Sequence, residues 1–282
     1  FVGTFANAIN VVAGSSGTLK ITNSAASIFS GAVTLNNDLT LAPTLTNLLT
    51  LSGGITGTGN LIVSGTGTTA AVTLSTNPVN NIGTITNQGS NTGTTTISGG
   101  VGANVTGITE NSTSSALTVS GALTVGASGK TLTNSNTAVL TVSGGVTGTG
   151  NLVLNNNSTT AAGILLSTTT VNNVGTVTNS GAGTGGSTIS AVIGTNVTGV
   201  VQNSATSQLT LSGVNTFTNN GTTTFGLSVK SGTVSGTTSA SAFGAGAITL
   251  GNTSGTANAT LNGDFVGTFA NAINVVAGSS GT

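Results

Sequence analysis

Residues able to carry out acid–base or metal chemistry are scarce in this 282-residue chain, which contains neither histidine nor cysteine. Its six charged side chains, which sum to zero net charge, are Lys20, Asp38, Glu110, Lys130, Lys230 and Asp264. Without His or Cys the chain can build neither a serine or cysteine triad nor a usual structural zinc site. The three carboxylates are far apart in sequence, so no acid–base pair is indicated. We predict that the protein is not an enzyme and has no catalytic residues.

Two glycine-rich stretches resemble parts of ligand-binding loops. Residues 126–131, Gly-Ala-Ser-Gly-Lys-Thr, match the end of a phosphate-binding loop, but position 124 is Thr where that pattern needs Gly. Residues 181–186 fit the spacing of a dinucleotide loop, a weak match in a chain with 45 glycines and no βαβ pattern. Calcium-binding solenoids need carboxylates on every turn, and Asp38 and Asp264 are isolated. We therefore predict no cofactor and no metal.

The composition also bears on macromolecular partners. Three lysines and no arginine do not form a basic stripe, so we predict no nucleic-acid binding. The phenylalanines fall only within 1–29 and 217–269, where they either fill a wider core or form an aromatic carbohydrate-binding patch. The glycosylation pattern Asn-x-Ser/Thr, which is frequent in such a composition, occurs among other places at Asn104, Asn111, Asn157, Asn196 and Asn258.

Long internal repeats organise the chain. Residues 1–18 recur without a change at 265–282, so the sequence starts again after position 264. We interpret 1–264 as one tandem unit and 265–282 as the start of the next identical unit. The two copies of the 18-residue segment are then expected to be structurally equivalent, one axial repeat apart.

Shorter repeats lie inside this unit. Residues 51–63 match 142–154 at an offset of 91, and 104–121 match 196–213 at an offset of 92, which defines sub-repeats 51–121 and 142–213. The motif Leu-Thr-(Leu/Val)-Ser-Gly recurs at spacings close to three, one and three multiples of 23, and it begins at Leu49, Leu117, Leu140 and Leu209.

Around each motif, apolar residues alternate with Thr and Ser, a period that predicts β-strands. Short strands on a period of about 23 residues predict an all-β, parallel β-solenoid with about 11–12 coils per 264-residue unit. The inward positions should include Leu49, Leu51, Leu117, Val119, Leu140, Val142, Leu209 and Leu211. Tandem immunoglobulin-like sandwiches are the alternative, but 113–216 contains no aromatic residue for their cores.

Residues 209–250 resemble the autotransporter-associated β-strand repeat of bacterial surface proteins. The resemblance implies a right-handed parallel β-helix, export and display at the cell surface, and it implies no activity. The membrane barrel that usually anchors such proteins is not in this sequence. The matching segments are Leu-Ser-Gly at 211–213, Asn-Thr-Phe-Thr at 215–218, Gly-Thr-Thr at 221–223, Gly-Thr at 232–233 and Gly-Ala-Gly-Ala-Ile-Thr-Leu at 244–250.

These features predict an extracellular structural fibre or sheath protein on a bacterial surface. An adhesin stalk that presents a distal binding domain is the alternative, and a carbohydrate-active β-helix enzyme is a more distant one. The expected partner is the protein itself, in a continuous or head-to-tail filament that bundles laterally because it is uncharged. Contact with a surface or carbohydrate remains open. Since so few groups titrate, the sequence predicts a stability that hardly changes between about pH 3 and pH 10.

Overall fold

The computed structural model describes residues 3–69, 71–219, 225–279 and 281, so Phe1 and the 221–223 segment lie outside the described residues. The described part contains β-strands and no helix, and therefore no helix that could cross a membrane. The strands are β1 (Gly3–Phe5), β2 (Ile9–Val11), β3 (Lys20–Ile21), β4 (Ser27–Phe29), β5 (Val33–Leu35), β6 (Leu39–Leu41), β7 (Leu48–Leu51), β8 (Ile55–Gly57), β9 (Leu61–Val63), β10 (Ala71–Leu74), β11 (Gly83–Asn87), β12 (Thr95–Ile97), β13 (Val105–Glu110), β14 (Leu117–Val119), β15 (Leu123–Val125), β16 (Lys130–Asn134), β17 (Leu140–Val142), β18 (Val146–Gly148), β19 (Leu152–Asn156), β20 (Ile164–Leu166), β21 (Gly175–Asn179), β22 (Ser187–Ile189), β23 (Val197–Asn203), β24 (Leu209–Leu211), β25 (Leu227–Thr237), β26 (Ile248–Leu250), β27 (Ala259–Asp264) and β28 (Ile273–Val275).

The strands stack as three parallel ladders, here named faces A, B and C in the order the chain visits them. Face A runs through β1, β4, β7, β10, β12, β14, β17, β20, β22, β24, β25 and β27. Face C runs through β3, β6, β9, β11, β13, β16, β19, β21, β23, β25, β26 and β28. Face B holds β2, β5, β8, β15 and β18, joined by single bridges.

Every described pairing between strands is parallel, and the chain makes about 12 turns. Among the described pairings, the shortest turn runs from Lys20 to Thr40, and the longest runs from Asn203 to Ser231. This architecture confirms the predicted all-β parallel solenoid. The sandwich alternative is wrong, because immunoglobulin-like sheets are antiparallel.

The core is a column of aliphatic side chains inside the three faces. In β14, Leu117 and Val119 point inward and are fully buried, while Thr118 between them points outward. The same alternation holds for all the predicted inward residues, and equivalent positions stack, with Leu117 on Leu140. The predicted inward residues, all confirmed as buried, are Leu49, Leu51, Leu117, Val119, Leu140, Val142, Leu209 and Leu211.

Glycine follows serine at most of the corners between faces A and B, where the backbones of successive turns lie close together. A Cβ added to Gly53 would lie 2.1 Å from the carbonyl oxygen of Gly31, one turn earlier. A Cβ added to Gly144 would lie 2.1 Å from the carbonyl oxygen of Gly121. The Ser-Gly of the repeated motif is therefore required by close packing of successive corners.

The sub-repeat spans four turns. Ile55 and its counterpart Val146 both lie on face B, four steps apart through Val79, Val101 and Leu123. An offset of 91 in sequence therefore returns the chain to the same face.

The two copies of the 18-residue segment, in contrast, lie on different faces, so the expectation of equivalence is wrong. Ile9–Val11 pairs on face B, whereas Ile273–Val275 pairs on face C. From Ser27 to Leu209, face A advances by eight turns. Eleven turns of this average length take up fewer than 264 residues. A 264-residue unit therefore runs past its starting face.

The face assignment predicts a sharp contrast between two adjacent residues. Val142 is 1% exposed and stacks between Val119 and Leu166. Val142→Asp would bury an unpaired carboxylate and should lower the free energy of unfolding by about 4 kcal/mol or more. Thr141→Asp, on the outward side of the same strand, should lower it by less than about 1 kcal/mol. Urea unfolding of both variants measures the difference, and equal losses would contradict the assignment.

Candidate functional site

The charged residues do not converge on a groove in the described part of the chain. Lys20, Asp38 and Asp264 are exposed and lie on different turns, and Lys230 is half-buried in β25. No group of three or more His, Cys, Asp or Glu residues that could hold a metal is found among the described residues. Of the six charged residues, Glu110 and Lys130 are buried.

The two loop-like motifs are corners of the solenoid. Residues 126–131 turn tightly, with the Gly129 amide donating to the Gly126 carbonyl at 2.9 Å, and they enter strand β16. Residues 181–186 connect β21 to β22, and a Cβ on Gly181 would lie 2.0 Å from the carbonyl oxygen of Asn156. Neither motif precedes a helix, so neither has the helix N-terminus that binds phosphate.

The phenylalanines divide between core and surface. Phe217 and Phe243 are fully buried, which agrees with the core-filling interpretation for these two. Phe5 is 39% exposed and stacks on Phe29 at a ring-centroid distance of 5.1 Å. The candidate glycosylation asparagines are all exposed, and they are Asn104, Asn111, Asn157, Asn196 and Asn258.

A buried polar ladder at the corner between faces C and A was not predicted from the sequence. Asn87, Glu110, Asn134 and Asn156 occupy the same inward position in four successive turns, and each is fully buried. Their side chains bond backbone groups of the corner. Asn134 Nδ2, for example, donates to the carbonyls of Ala138 at 2.8 Å and Gly163 at 2.6 Å. The ladder therefore satisfies buried corner backbone that no strand pairs.

Glu110 lies in this ladder without a cation. Its Oε2 accepts from Asn87 Nδ2 at 2.8 Å, and its Oε1 accepts from the Ser112 amide at 2.7 Å. Burial raises the pKa of Glu110 from its ordinary 4.5 to about 7, although hydrogen bonds to its carboxylate act in the opposite direction. The folded protein therefore holds this carboxyl as a neutral acid over much of the acidic range.

The second sub-repeat carries the same site with an amide in place of the acid. Asn179 Nδ2 donates to Gln202 Oε1 at 2.8 Å and to the Ser207 carbonyl at 2.7 Å. Gln202 Nε2 also donates to the Ser204 carbonyl at 2.8 Å. Because a neutral amide fills the position completely, the equivalent Glu110 is best explained as a structural group.

Lys130 is buried at the opposite corner, between faces B and C. Its Nζ donates to the carbonyl oxygens of Gly102, at 3.2 Å, and Val105. Burial lowers the pKa of Lys130 from 10.5 to about 8. Both perturbed groups are thus enclosed, and neither can meet a dissolved substrate.

A hollow of about 430 Å³ opens beside the first turns, and its lining includes Ile9 and Val11 of β2 and both residues of β3, Lys20 and Ile21. It contains no second ionisable group. Comparison with protein families, with curated proteins and with solved structures finds no match for this chain.

The raised pKa of Glu110 replaces the expectation of pH-independent stability with a specific slope. The pKa of Glu110 is higher in the folded chain than in the unfolded chain. Its contribution to the free energy of unfolding is therefore fully present below pH 4.5 and is lost as the pH rises through 7. The free energy of unfolding should therefore fall by about 3 kcal/mol between pH 4.5 and pH 8. Glu110→Gln, which copies the Gln202 site, should remove this fall. Identical slopes for both proteins in urea titrations would contradict the prediction.

The lowered pKa of Lys130 predicts that the free energy of unfolding changes with pH in the opposite direction at higher pH. Its folded pKa of about 8 lies below the unfolded 10.5, so the unfolded chain binds more protons between these values. The free energy of unfolding should rise by about 3 kcal/mol from pH 8 to pH 10.5. Lys130→Met should lack this rise, whereas Lys20→Met, at an exposed position, should keep it. A rise that persists in Lys130→Met would assign it to another group.

Proposed function

We propose that this chain is a structural segment of an extracellular fibre or sheath, built from tandem β-solenoid units. The observation that carries the proposal is one uninterrupted stack of about 12 turns whose outward strand positions are chiefly Thr, Ser and Asn. At about 4.8 Å per turn, the stack forms a rod roughly 58 Å long. Such a rod supplies length and stiffness without any reactive group.

Tandem repetition suits this architecture. A solenoid lengthens by adding turns at constant cross-section, so a repeated sequence extends the rod instead of adding separate beads. The sub-repeats already follow this rule, since 51–63 and 142–154 occupy equivalent faces four turns apart.

The shifted faces of the 18-residue copies give the proposed fibre a long-range symmetry. Ile9 lies on face B and Ile273 lies on face C, so one 264-residue unit advances eleven turns and about one third. Three units would then bring a residue back to its starting face. A fibre of such units would present each local surface feature in three directions around its axis.

The proposed extracellular location rests on the resemblance of 209–250 to bacterial surface repeats. The described part of this segment continues the same solenoid: Leu209–Leu211 lies on face A, and Ile248–Leu250 lies on face C. The resemblance of this segment to those repeats is thus compatible with the observed stack.

Immunogold labelling of intact producing cells tests the proposed function. Antibodies raised against this chain should label surface filaments along their whole length without permeabilisation. Pre-immune serum is the control. Label confined to a short stalk with an unlabelled tip would favour the adhesin alternative, and label seen only after permeabilisation would contradict an extracellular fibre.

A further inference from the structure

Face A carries a regular two-dimensional array of hydroxyl groups. In eight successive turns the outward position at the strand centre is Thr in seven and Leu165 in one. The threonines are Thr50, Thr73, Thr96, Thr118, Thr141, Thr188 and Thr210. Two positions after each of these eight stands a serine, giving a second rank of Ser52, Ser75, Ser98, Ser120, Ser143, Ser167, Ser190 and Ser212.

The threonine hydroxyls of this array differ from those at the corners. Corner threonines donate to the turn beneath, as Thr137 Oγ1 does to the Thr113 carbonyl and Thr160 Oγ1 to the Thr137 carbonyl, both at 2.9 Å. Within the described part of the chain, the six threonine hydroxyls from Thr50 to Thr188 make no such bond. Their β-branched side chains are stiff and are held at fixed intervals by the strands. The threonine rank therefore faces outward with its hydrogen-bonding capacity unused, except at Thr210, whose Oγ1 accepts from Gln208 Nε2 at 3.4 Å.

The dimensions of the array are set by the backbone. Successive turns lie about 4.8 Å apart, and two steps along a strand span about 6.6 Å. None of the six charged residues lies on face A within these eight turns. The surface is therefore neutral, flat and periodic in both directions.

We propose that face A binds face A of a second copy of this chain, with the Thr and Ser ranks of the two copies interdigitating. This inference rests on the proposed fibre function and identifies its lateral contact. A partner must repeat at about 4.8 Å to engage each rung, and a second copy has that repeat. Paired cross-β sheets pack through dry, interdigitated faces in the same way.

The available area suits a weak contact that strengthens with length. Eight turns at about 4.8 Å and a strand width of about 15 Å give roughly 600 Å² on each copy. The total of roughly 1,200 Å² lies at the lower limit of stable interfaces. Two single chains should therefore associate weakly, whereas a longer rod repeats the contact on the same side with every third unit.

Other occupants fit the array less well. Sugar rings bind in proteins largely against aromatic faces, and no aromatic residue lies on face A between β7 and β24. Ionic partners, including nucleic acids and anionic lipid surfaces, find no charge there.

Sedimentation of the 282-residue chain over a range of concentrations tests the proposal. The paired substitutions Thr96→Lys and Thr141→Lys place two charges on face A, two rungs apart. The matched control, Thr86→Lys with Thr133→Lys, places the same charges at the same spacing on face C. The wild type and the control should dimerise alike, and the face A variant should need at least tenfold higher concentration. Thermal melting should show that all three proteins remain folded.

Three results would overturn the proposal: a monomeric wild type, a face A variant that associates normally, or equal weakening in the control. Binding of cellulose, chitin or ice that is lost in the face A variant while dimerisation persists would also overturn it. The outcomes that would refute the proposed fibre function differ from those that would refute the lateral contact. Surface filaments with a monomeric chain would refute only the lateral contact, and intracellular label with face A dimerisation would refute only the fibre.

Discussion

Stacking of each turn on the turns above and below it is the interaction on which the rest of the structure depends. No turn encloses a core of its own; Leu117 is buried because Leu140 and the turns around it continue the column. At a spacing of about 4.8 Å, a side chain that recurs in every turn lies against its own kind. Aliphatic, hydroxyl and amide groups tolerate this arrangement, whereas repeated like charges repel one another. The scarcity of charge and the corner glycines both follow from this constraint.

The buried ionisable groups are tolerated because they are isolated. Glu110 interrupts a ladder of asparagines for one turn only, so its neighbours Asn87 and Asn134 are neutral. Lys130 likewise meets carbonyl oxygens and no second ammonium group among the described residues. The two charged groups that the fold has taken out of water, Glu110 and Lys130, are the source of the predicted pH dependence of stability. Small numbers of charges do not imply small electrostatic effects when burial is complete.

Much of the fold could be predicted from the sequence because stacking leaves a period of about 23 residues and an alternation along each strand, both visible around Leu117 and Leu140. Glu110 was missed because a lone acidic residue is usually exposed. The signal was present, since Ile108 and Glu110 share the inward phase of one strand and Gln202 occupies the equivalent position of the second sub-repeat. A shift of Ile273 was indicated, because 264 residues are not a whole number of turns of about 23 residues. The face that Ile273 reaches could not be predicted, because turn lengths vary in the corners.

Hydrogen–deuterium exchange along the chain tests the central claim most directly, because stacked turns share stability with their neighbours. The account predicts one continuous profile, with the slowest exchange in the middle turns, from β13 to β21, and a gradual increase in rate toward both ends. Two separately protected blocks, 51–121 and 142–213, joined by a rapidly exchanging linker, would contradict it. That result would mean that the sub-repeats fold as independent domains and that stacking between turns does not hold the molecule together.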